Sequence, residues 1–93
     1  MKIDFDPAKD KANRRKHGVS FALAAELDWD AMWVRADDAD AYGEDRWIGV
    51  APKGTRLYTV VFTVPGDETV RIISLRHATN QEIKCYEGQN AKT

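Results

Sequence analysis

The sequence has a single cysteine, Cys85, among its 93 residues. This excludes an internal disulfide and a metal site built from several cysteines. No apolar run approaches the roughly 20 residues that a membrane-spanning helix needs. Residues 1–6 also lack the apolar segment of a signal peptide. We therefore expect a cytoplasmic protein that does not associate with a membrane.

The sequence also lacks the motifs of several common active sites. It has no Gly-rich phosphate loop, no His-Glu-x-x-His zinc motif and no nucleophile elbow. Two histidines, His17 and His77, are its only side chains that ordinarily titrate near neutral pH. We expect neither a metal ion nor a cofactor, so the chemistry must come from separate charged and titratable side chains.

A chain of this length forms one domain, residues 1–93, and its 43% apolar content is typical of a globular protein. The net charge of −1 conceals a strong segregation of charge. Residues 1–25 and 46–93 each have an excess of basic side chains, whereas residues 26–45 contain eight acids and only Arg35. This pattern indicates either two surfaces of opposite charge or a solvated acidic loop beside an ordinary surface.

The N-terminal part predicts two helices. Asp6 is a suitable N-cap, Pro7 suits the first helical position, and Gly18 suits the end of the helix. Ser20 can cap a second helix from Phe21 to about Leu27, where apolar residues recur at helical spacing.

The rest of the chain predicts mainly strands. Residues 3–5 form a short strand or an extended arm, and residues 36–45 form an acidic loop. The predicted strands cover residues 32–35 at an edge, 46–50, 57–64 in the centre, and 70–76 after a turn at Pro65-Gly66. The spacing of Thr79 and Glu82 matches a capping box that begins a last helix reaching about Tyr86, followed by a frayed tail over residues 87–93.

This order of elements predicts an α+β fold. Strands joined by short turns favour an antiparallel sheet, here of about four strands. Two helices precede the sheet and one helix follows it.

The first helix concentrates basic side chains towards its end. Side chains that lie on one side of a helix can follow a row of phosphates. The alternative is an exposed basic helix face that binds nothing. The residues of this group are Lys9, Lys11, Arg14, Arg15, Lys16 and His17.

Two arginines in the predicted strand 70–76 also require an explanation, because an arginine among apolar residues is costly unless it is paired. For Arg71 we favour a structural ion pair. Arg76 lies where the strand meets a helix start, and there it could bind an anion together with backbone N–H groups of residues 79–81.

Other candidates have two interpretations each. Glu44 is either a general base or one acid of a solvated loop, and Tyr86 is either a proton donor or a residue at the core edge. For the three tryptophans we favour a place in the core or at an interface over a role in stacking on bases, and Trp47 in particular fits the core. These residues are Trp29, Trp33 and Trp47.

Several segments of the sequence, taken in order, resemble those of the BrnT toxins, and the resemblance covers about residues 3–87. The matching segments are 6–9 (Asp-Pro-Ala-Lys), Asn13, 16–21 (Lys-His-Gly-Val-Ser-Phe), 44–46 (Glu-Asp-Arg), 71–76 (Arg-Ile-Ile-Ser-Leu-Arg), Ala78, Thr79, Glu82 and Tyr86. The resemblance implies a RelE-like microbial ribonuclease fold and a metal-independent endoribonuclease. In such an enzyme the RNA 2′-hydroxyl attacks the neighbouring phosphate.

That reaction needs a base, a cationic group for the phosphorane and an acid for the leaving oxygen. The resemblance implies Glu44 or His17 as base and His17 or Tyr86 as acid. Three cations are candidates for charge stabilisation: Lys16, Arg46 and Arg76. The substrate-binding candidates are Lys9, Asn13, Arg14, Arg15 and Arg71.

The resemblance also implies growth arrest through blocked translation, and neutralisation by a BrnA-like ribbon-helix-helix antitoxin. Two toxins and two antitoxins would associate, and operator DNA would be bound only through the antitoxin. We hypothesise that the acidic stretch with Asp37, Asp38 and Asp40 receives a basic antitoxin segment. The alternatives are an inactive toxin-like module that acts as a corepressor, and a different small nucleic-acid-binding domain.

Overall fold

The chain folds into a five-stranded sheet with two α-helices and two short 3-10 helices, and the computed structural model describes residues 1–37, 45–66 and 68–91. In chain order the elements are β1 (Lys2–Asp4), α1 (Pro7–His17), 3-10 helices over Phe21–Glu26 and Trp29–Ala31, β2 (Trp33–Ala36), β3 (Trp47–Lys53), β4 (Arg56–Gly66), β5 (Thr69–His77) and α2 (Asn80–Ala91). The strand order across the sheet is β1-β5-β4-β3-β2. The predicted α+β class is confirmed.

The sheet has one strand more than the predicted four or so, because β1 joins it. β1 runs parallel to β5, with Ile3 opposite Val70, while all the other strand pairs are antiparallel. The backbone N–H of Lys2 donates to the carbonyl oxygen of Glu68 at 2.6 Å. Residues 3–5, predicted as a strand or an arm, therefore contribute an edge strand over Lys2–Asp4.

The predicted positions of β4 at the centre and β2 at an edge are confirmed. The predicted turn at Pro65-Gly66 is wrong, because β4 continues through both residues and Gly66 pairs with Thr69. The register shifts between Thr63 and Gly66, and this irregularity accommodates Pro65, which has no N–H to donate to a sheet. Most of the predicted acidic loop, residues 38–44, lies outside the described residues.

The predicted caps of α1 are present. The Asp6 carboxylate accepts a hydrogen bond from the N–H of Ala8 at 2.8 Å, and Gly18 ends the helix with a positive φ of 71°. Such a left-handed conformation suits glycine, and the N–H of Gly18 donates to Arg14 O at 2.8 Å.

The second predicted helix is a 3-10 helix, which Ser20 caps as expected and which ends at Glu26. Phe21, Ala24 and Leu27 are all buried, at intervals of three residues. In a 3-10 helix, residues three apart eclipse one another, so this conformation directs Phe21 and Ala24 into the core, and Leu27 enters the core just after the helix ends.

The core fills the space between one face of the sheet and the segment around the 3-10 helices. Phe21 packs edge-on against Phe5, and Trp29 packs edge-on against Phe62, with ring centroids 5.6 and 5.2 Å apart. Trp47 also packs against this core, in agreement with its predicted role. α2 begins at Asn80 and runs to Ala91, beyond the predicted end near Tyr86.

α1 is joined to the edge of β5 by the side chain of Asn13. β1 pairs only with residues 69–71 of β5, so β1 does not reach Leu75. There the Asn13 amide donates to Leu75 O at 2.7 Å and accepts from Leu75 N at 3.2 Å. It also donates to Val19 O at 2.9 Å. One buried amide thus replaces a neighbouring strand and ties the helix to the sheet.

Replacing Asn13 with Ala should lower the free energy of unfolding by about 2–4 kcal/mol, because the backbone groups of Leu75 and Val19 lose their partners in a buried place. Chemical denaturation measures the change. Lys11→Ala, at an exposed position of the same helix, should stay within about 0.5 kcal/mol of the native chain. Equal effects of the two substitutions would contradict the role assigned to Asn13.

Candidate functional site

A cleft of about 280 Å³ lies between α1 and β5. Its helical wall consists of residues at positions i, i+3, i+4 and i+7, which form one face of α1. Ile73 and Ser74 of β5 form the opposite wall. The helical residues, with the one that ends the helix, are Lys9, Ala12, Asn13, Lys16 and His17.

His17 is the titratable group of this cleft, and its surroundings favour the neutral imidazole. Burial lowers the pKa of His17 below 6.5, and the positive charges of Lys16 and Arg76 lower it further. Arg76 itself does not line the cleft, although it follows Leu75, to which Asn13 of α1 is hydrogen-bonded. The cleft therefore combines a histidine of lowered pKa with the cations Lys9 and Lys16 in its lining, a combination suited to taking a proton beside an anion.

Arg76 is held by an acid of α2. Its Nη1 and Nη2 atoms donate to the two carboxylate oxygens of Glu82 at 2.7 and 3.0 Å. The same carboxylate accepts hydrogen bonds from Thr59 Oγ1 at 2.9 Å and from the N–H of Thr79 at 2.8 Å. Because Thr79 Oγ1 also accepts from the N–H of Glu82, the predicted capping box is present. Arg76, for which we expected an anion ligand, therefore forms a structural ion pair with the chain's own Glu82 carboxylate, the arrangement that we had favoured only for Arg71.

The Glu82 carboxylate is strongly stabilised in its charged form. Burial on its own raises the pKa of Glu82, but hydrogen bonds from Arg76, the Thr79 backbone and Thr59 outweigh burial and lower the pKa to about 2. In return, the hydrogen bond to Glu82 raises the pKa of the Arg76 guanidinium. The pair is therefore fully ionised at neutral pH.

Arg76 retains hydrogen-bonding capacity despite this pairing. A guanidinium has five N–H donors. Within the described part of the chain, Arg76 uses two of these on Glu82 and one on the carbonyl oxygen of His77, at 3.4 Å. Its Nε–H and the second N–H of Nη2 can still bind a phosphate.

Other predicted site residues lie away from this cleft. Arg71 is five residues before Arg76 on β5, about 17 Å along the strand. It is exposed and forms the structural ion pair that we favoured, with Asp4 at 3.4 Å. Arg46 immediately precedes β3, at the end of the sheet that also holds Arg71, and its carbonyl oxygen accepts from Asp37 N at 2.8 Å.

Four further candidates have different surroundings. Arg14 and Arg15 are exposed on α1 and do not line the cleft, and Arg14 lies 3.7 Å from Asp10. Tyr86 is buried, and its hydroxyl donates to Ala31 O at 3.0 Å. Glu44, together with Asp38 and Asp40, lies outside the described residues.

Sequence reasoning missed two contributors to the site. Ser74 gave no signal, because its place in the cleft depends on how α1 packs against β5. Glu82 was interpreted only as part of a capping box. Its pairing with Arg76 follows from the register that places Thr59 opposite Arg76, which the sequence alone does not reveal.

In residues 1–37, 45–66 and 68–91, no three or more His, Cys, Asp or Glu side chains are grouped so that they could hold a metal ion. The helices in these ranges are too short or too polar to cross a membrane.

Comparisons with known proteins bear on the family and the fold of the chain. A sequence model of the family described as ribonuclease toxin, BrnT, of type II toxin–antitoxin system matches residues 5–82. A crystal structure of the Brucella abortus ribonuclease toxin BrnT is 30% identical to the chain, with a TM-score of 0.68. The alignment covers 86% of this chain and 99% of the Brucella chain. A comparison with curated proteins found no match.

We predict that an NMR titration of His17 gives a pKa below 6.5. Lys16→Gln should raise this pKa, because the neighbouring positive charge is removed. Lys11→Gln, a matched loss of charge away from the cleft lining, should leave the pKa unchanged. An unperturbed value in the native chain, or identical values in both variants, would contradict the environment assigned to His17.

We also predict an acid-dependent contribution of Glu82 to stability. Because its pKa falls from 4.5 to about 2 on folding, the contribution is complete above pH 4.5 and is lost as the pH falls towards 2. Denaturation curves between pH 6 and pH 2 should therefore show a steeper loss of stability for the native chain than for Glu82→Gln. Parallel curves would exclude this contribution.

Proposed function

We propose that this chain, which belongs to the BrnT family of ribonuclease toxins of type II toxin–antitoxin systems, cleaves RNA in the cleft between α1 and β5. The observation that carries the proposal is the position of His17, in the lining of the cleft together with Lys9 and Lys16. Burial and two neighbouring cations lower the pKa of His17.

His17 acts as the base in the proposed reaction. A neutral imidazole nitrogen takes the proton of the RNA 2′-hydroxyl, and the 2′-oxygen attacks the adjacent phosphorus. The bond to the 5′-oxygen then breaks, and this oxygen takes a proton from the imidazolium of His17, which returns to its neutral form. The products carry a 2′,3′-cyclic phosphate and a 5′-hydroxyl. Glu44, the other candidate base, lies outside the described residues.

Lys16 and Arg76 stabilise the charge of the pentavalent phosphorane. Both act on His17 electrostatically, so a phosphate beside the imidazole lies in the field of both cations. The free N–H groups of Arg76 can donate to phosphate oxygens while Glu82 holds the guanidinium in place. Lys16 also offsets charge on the leaving 5′-oxygen.

The remaining basic residues bind the RNA backbone beyond the scissile phosphate. Lys9 extends the cleft along α1, and Arg14 and Arg15 add exposed positive charge to the same helix. Arg71 and Arg46 continue the path towards the opposite end of the sheet. The Asn13 amide is fully used by the backbone, so it acts by holding Lys16 and His17 in position. Tyr86 supports the site by anchoring α2 to Ala31.

We also propose the cellular role that the family suggests. The chain acts in the cytoplasm, cleaves RNA without a metal ion, and arrests growth by blocking translation. A BrnA-like ribbon-helix-helix antitoxin neutralises it in a complex of two toxins and two antitoxins, which binds operator DNA through the antitoxin. The acidic stretch that begins at Asp37 offers a docking place for basic antitoxin side chains.

Expression of the chain with and without its neighbouring gene, followed by growth and RNA decay, tests this function. The chain alone should arrest growth and release fragments with 2′,3′-cyclic phosphate ends. With purified protein, EDTA should leave the cleavage rate unchanged. A well-expressed, folded chain that neither arrests growth nor cleaves RNA would instead favour the inactive corepressor.

We predict that His17→Ala and Arg76→Ala each reduce cleavage by about tenfold or more. Arg76→Lys keeps a positive charge near Glu82, so it tests the same position if the alanine variant folds poorly. Arg56→Ala, the loss of an exposed arginine on β4, should have native activity. Folded His17 and Arg76 variants that retain full activity would reject this site.

A further inference from the structure

A second cleft lies on the other side of Glu82, between the edge strand β2 and the first turns of α2. Its volume is about 280 Å³. The lining residues are Trp33, Arg35, Thr79, Gln81, Glu82 and Cys85. Glu82 is shared with the proposed cleavage site, because the same carboxylate holds Arg76. The second cleft therefore lies next to the Arg76–Glu82 pair.

The sheet places the aromatic and the cationic side chain of this cleft together. Trp33 and Arg35 are two residues apart on β2, so they lie on the same face of the sheet. Trp33 is opposite Val50, which is opposite Thr59, which in turn is opposite Arg76. Trp33 therefore lies on the same face of the sheet as Arg76, three strands away, with Val50 and Thr59 buried between them.

Arg35 is available for a ligand. Its side chain is exposed, and among the described residues it has no ion-pair partner. This distinguishes it from Arg71 and Arg76, which are paired with Asp4 and Glu82. Trp33 is only partly buried, whereas the indole N–H of Trp29 donates to Ala24 O and its ring packs on Phe62.

We propose that this second cleft is a nucleotide subsite of the RNA substrate, in which a base stacks on Trp33 and the adjoining phosphate binds Arg35. The inference rests on the proposed ribonuclease function and adds a binding determinant to it. Aromatic rings bind bases of any sequence through their π faces, and a neighbouring arginine supplies the phosphate contact. The subsite therefore strengthens RNA binding with little preference for a particular base.

The reactivity of the Cys85 thiol tests the subsite in the native chain, without a substitution. It is the sole cysteine of the chain, it is exposed, and it lines the cleft. A single-stranded 2′-O-methyl RNA, which cannot be cleaved by its own 2′-oxygen, should slow the reaction of Cys85 with a thiol reagent. It should also quench tryptophan fluorescence, and Trp33→Phe should remove most of this quenching while affinity is retained. Unchanged Cys85 reactivity at saturating RNA would overturn the subsite.

Substitutions then separate stacking from charge. Trp33→Leu should weaken binding of the 2′-O-methyl RNA by about 5- to 150-fold. Arg35→Gln should weaken it and reduce the slope of log affinity against log salt by about 0.7. Arg56→Gln is the matched control, because it removes another exposed strand arginine outside the cleft. It should leave the salt slope nearly unchanged.

The outcomes distinguish failure of the subsite from failure of the proposed function. Native binding by Trp33→Leu and Arg35→Gln in an enzyme that cleaves RNA would reject the subsite and leave the ribonuclease intact. Weakened RNA binding by both variants in a chain without cleavage would support the subsite and reject the enzyme. If both variants bind RNA normally but bind the antitoxin poorly, the cleft serves a protein partner and the proposal is wrong.

Discussion

The arrangement of the site depends on one buried amide, that of Asn13. β1 covers the edge of β5 only over residues 69–71, and farther along this edge Asn13 takes up the N–H and the carbonyl of Leu75. Its third hydrogen bond, to Val19, fixes the chain that leaves α1. Because Lys16 and His17 occupy the end of α1, the position of both depends on these contacts. A side chain with the donor and acceptor pattern of a peptide group is needed, which explains an asparagine at this place.

A second network fixes the other half of the site. Glu82 joins β4, β5 and the start of α2 through Thr59, Arg76 and Thr79. The carboxylate therefore orients the Arg76 guanidinium and caps the helix at the same time. Asn13 binds the backbone of β5 at the edge of the sheet, and Glu82 binds Arg76 of β5 on the face of the sheet. Both networks therefore share β5. Arg76 lowers the pKa of His17 because the helix end and the arginine are both fixed to this strand.

Local signals in the sequence predicted much of the fold. The caps of α1 by Asp6 and Gly18, the capping box at Thr79 and Glu82, and the central position of β4 all follow from residue types at fixed spacings. Features that depend on pairing between distant segments were not predictable in this way. The parallel addition of β1, the strand through Pro65 and the pairing of Arg76 with Glu82 depend on register, which a single sequence does not encode in any short motif. The 3-10 form of the second helix depends on which side chains the core accepts.

The most direct test of this account is the electrostatic coupling of His17 to Arg76, measured by NMR titration with and without Asn13. In the native chain, Arg76→Gln should raise the pKa of His17, because a nearby positive charge is removed. In an Asn13→Ala background, with α1 released from β5, the same substitution should have little effect on that pKa. An equal rise in both backgrounds would contradict the claim that the Asn13 amide brings the two halves of the site together.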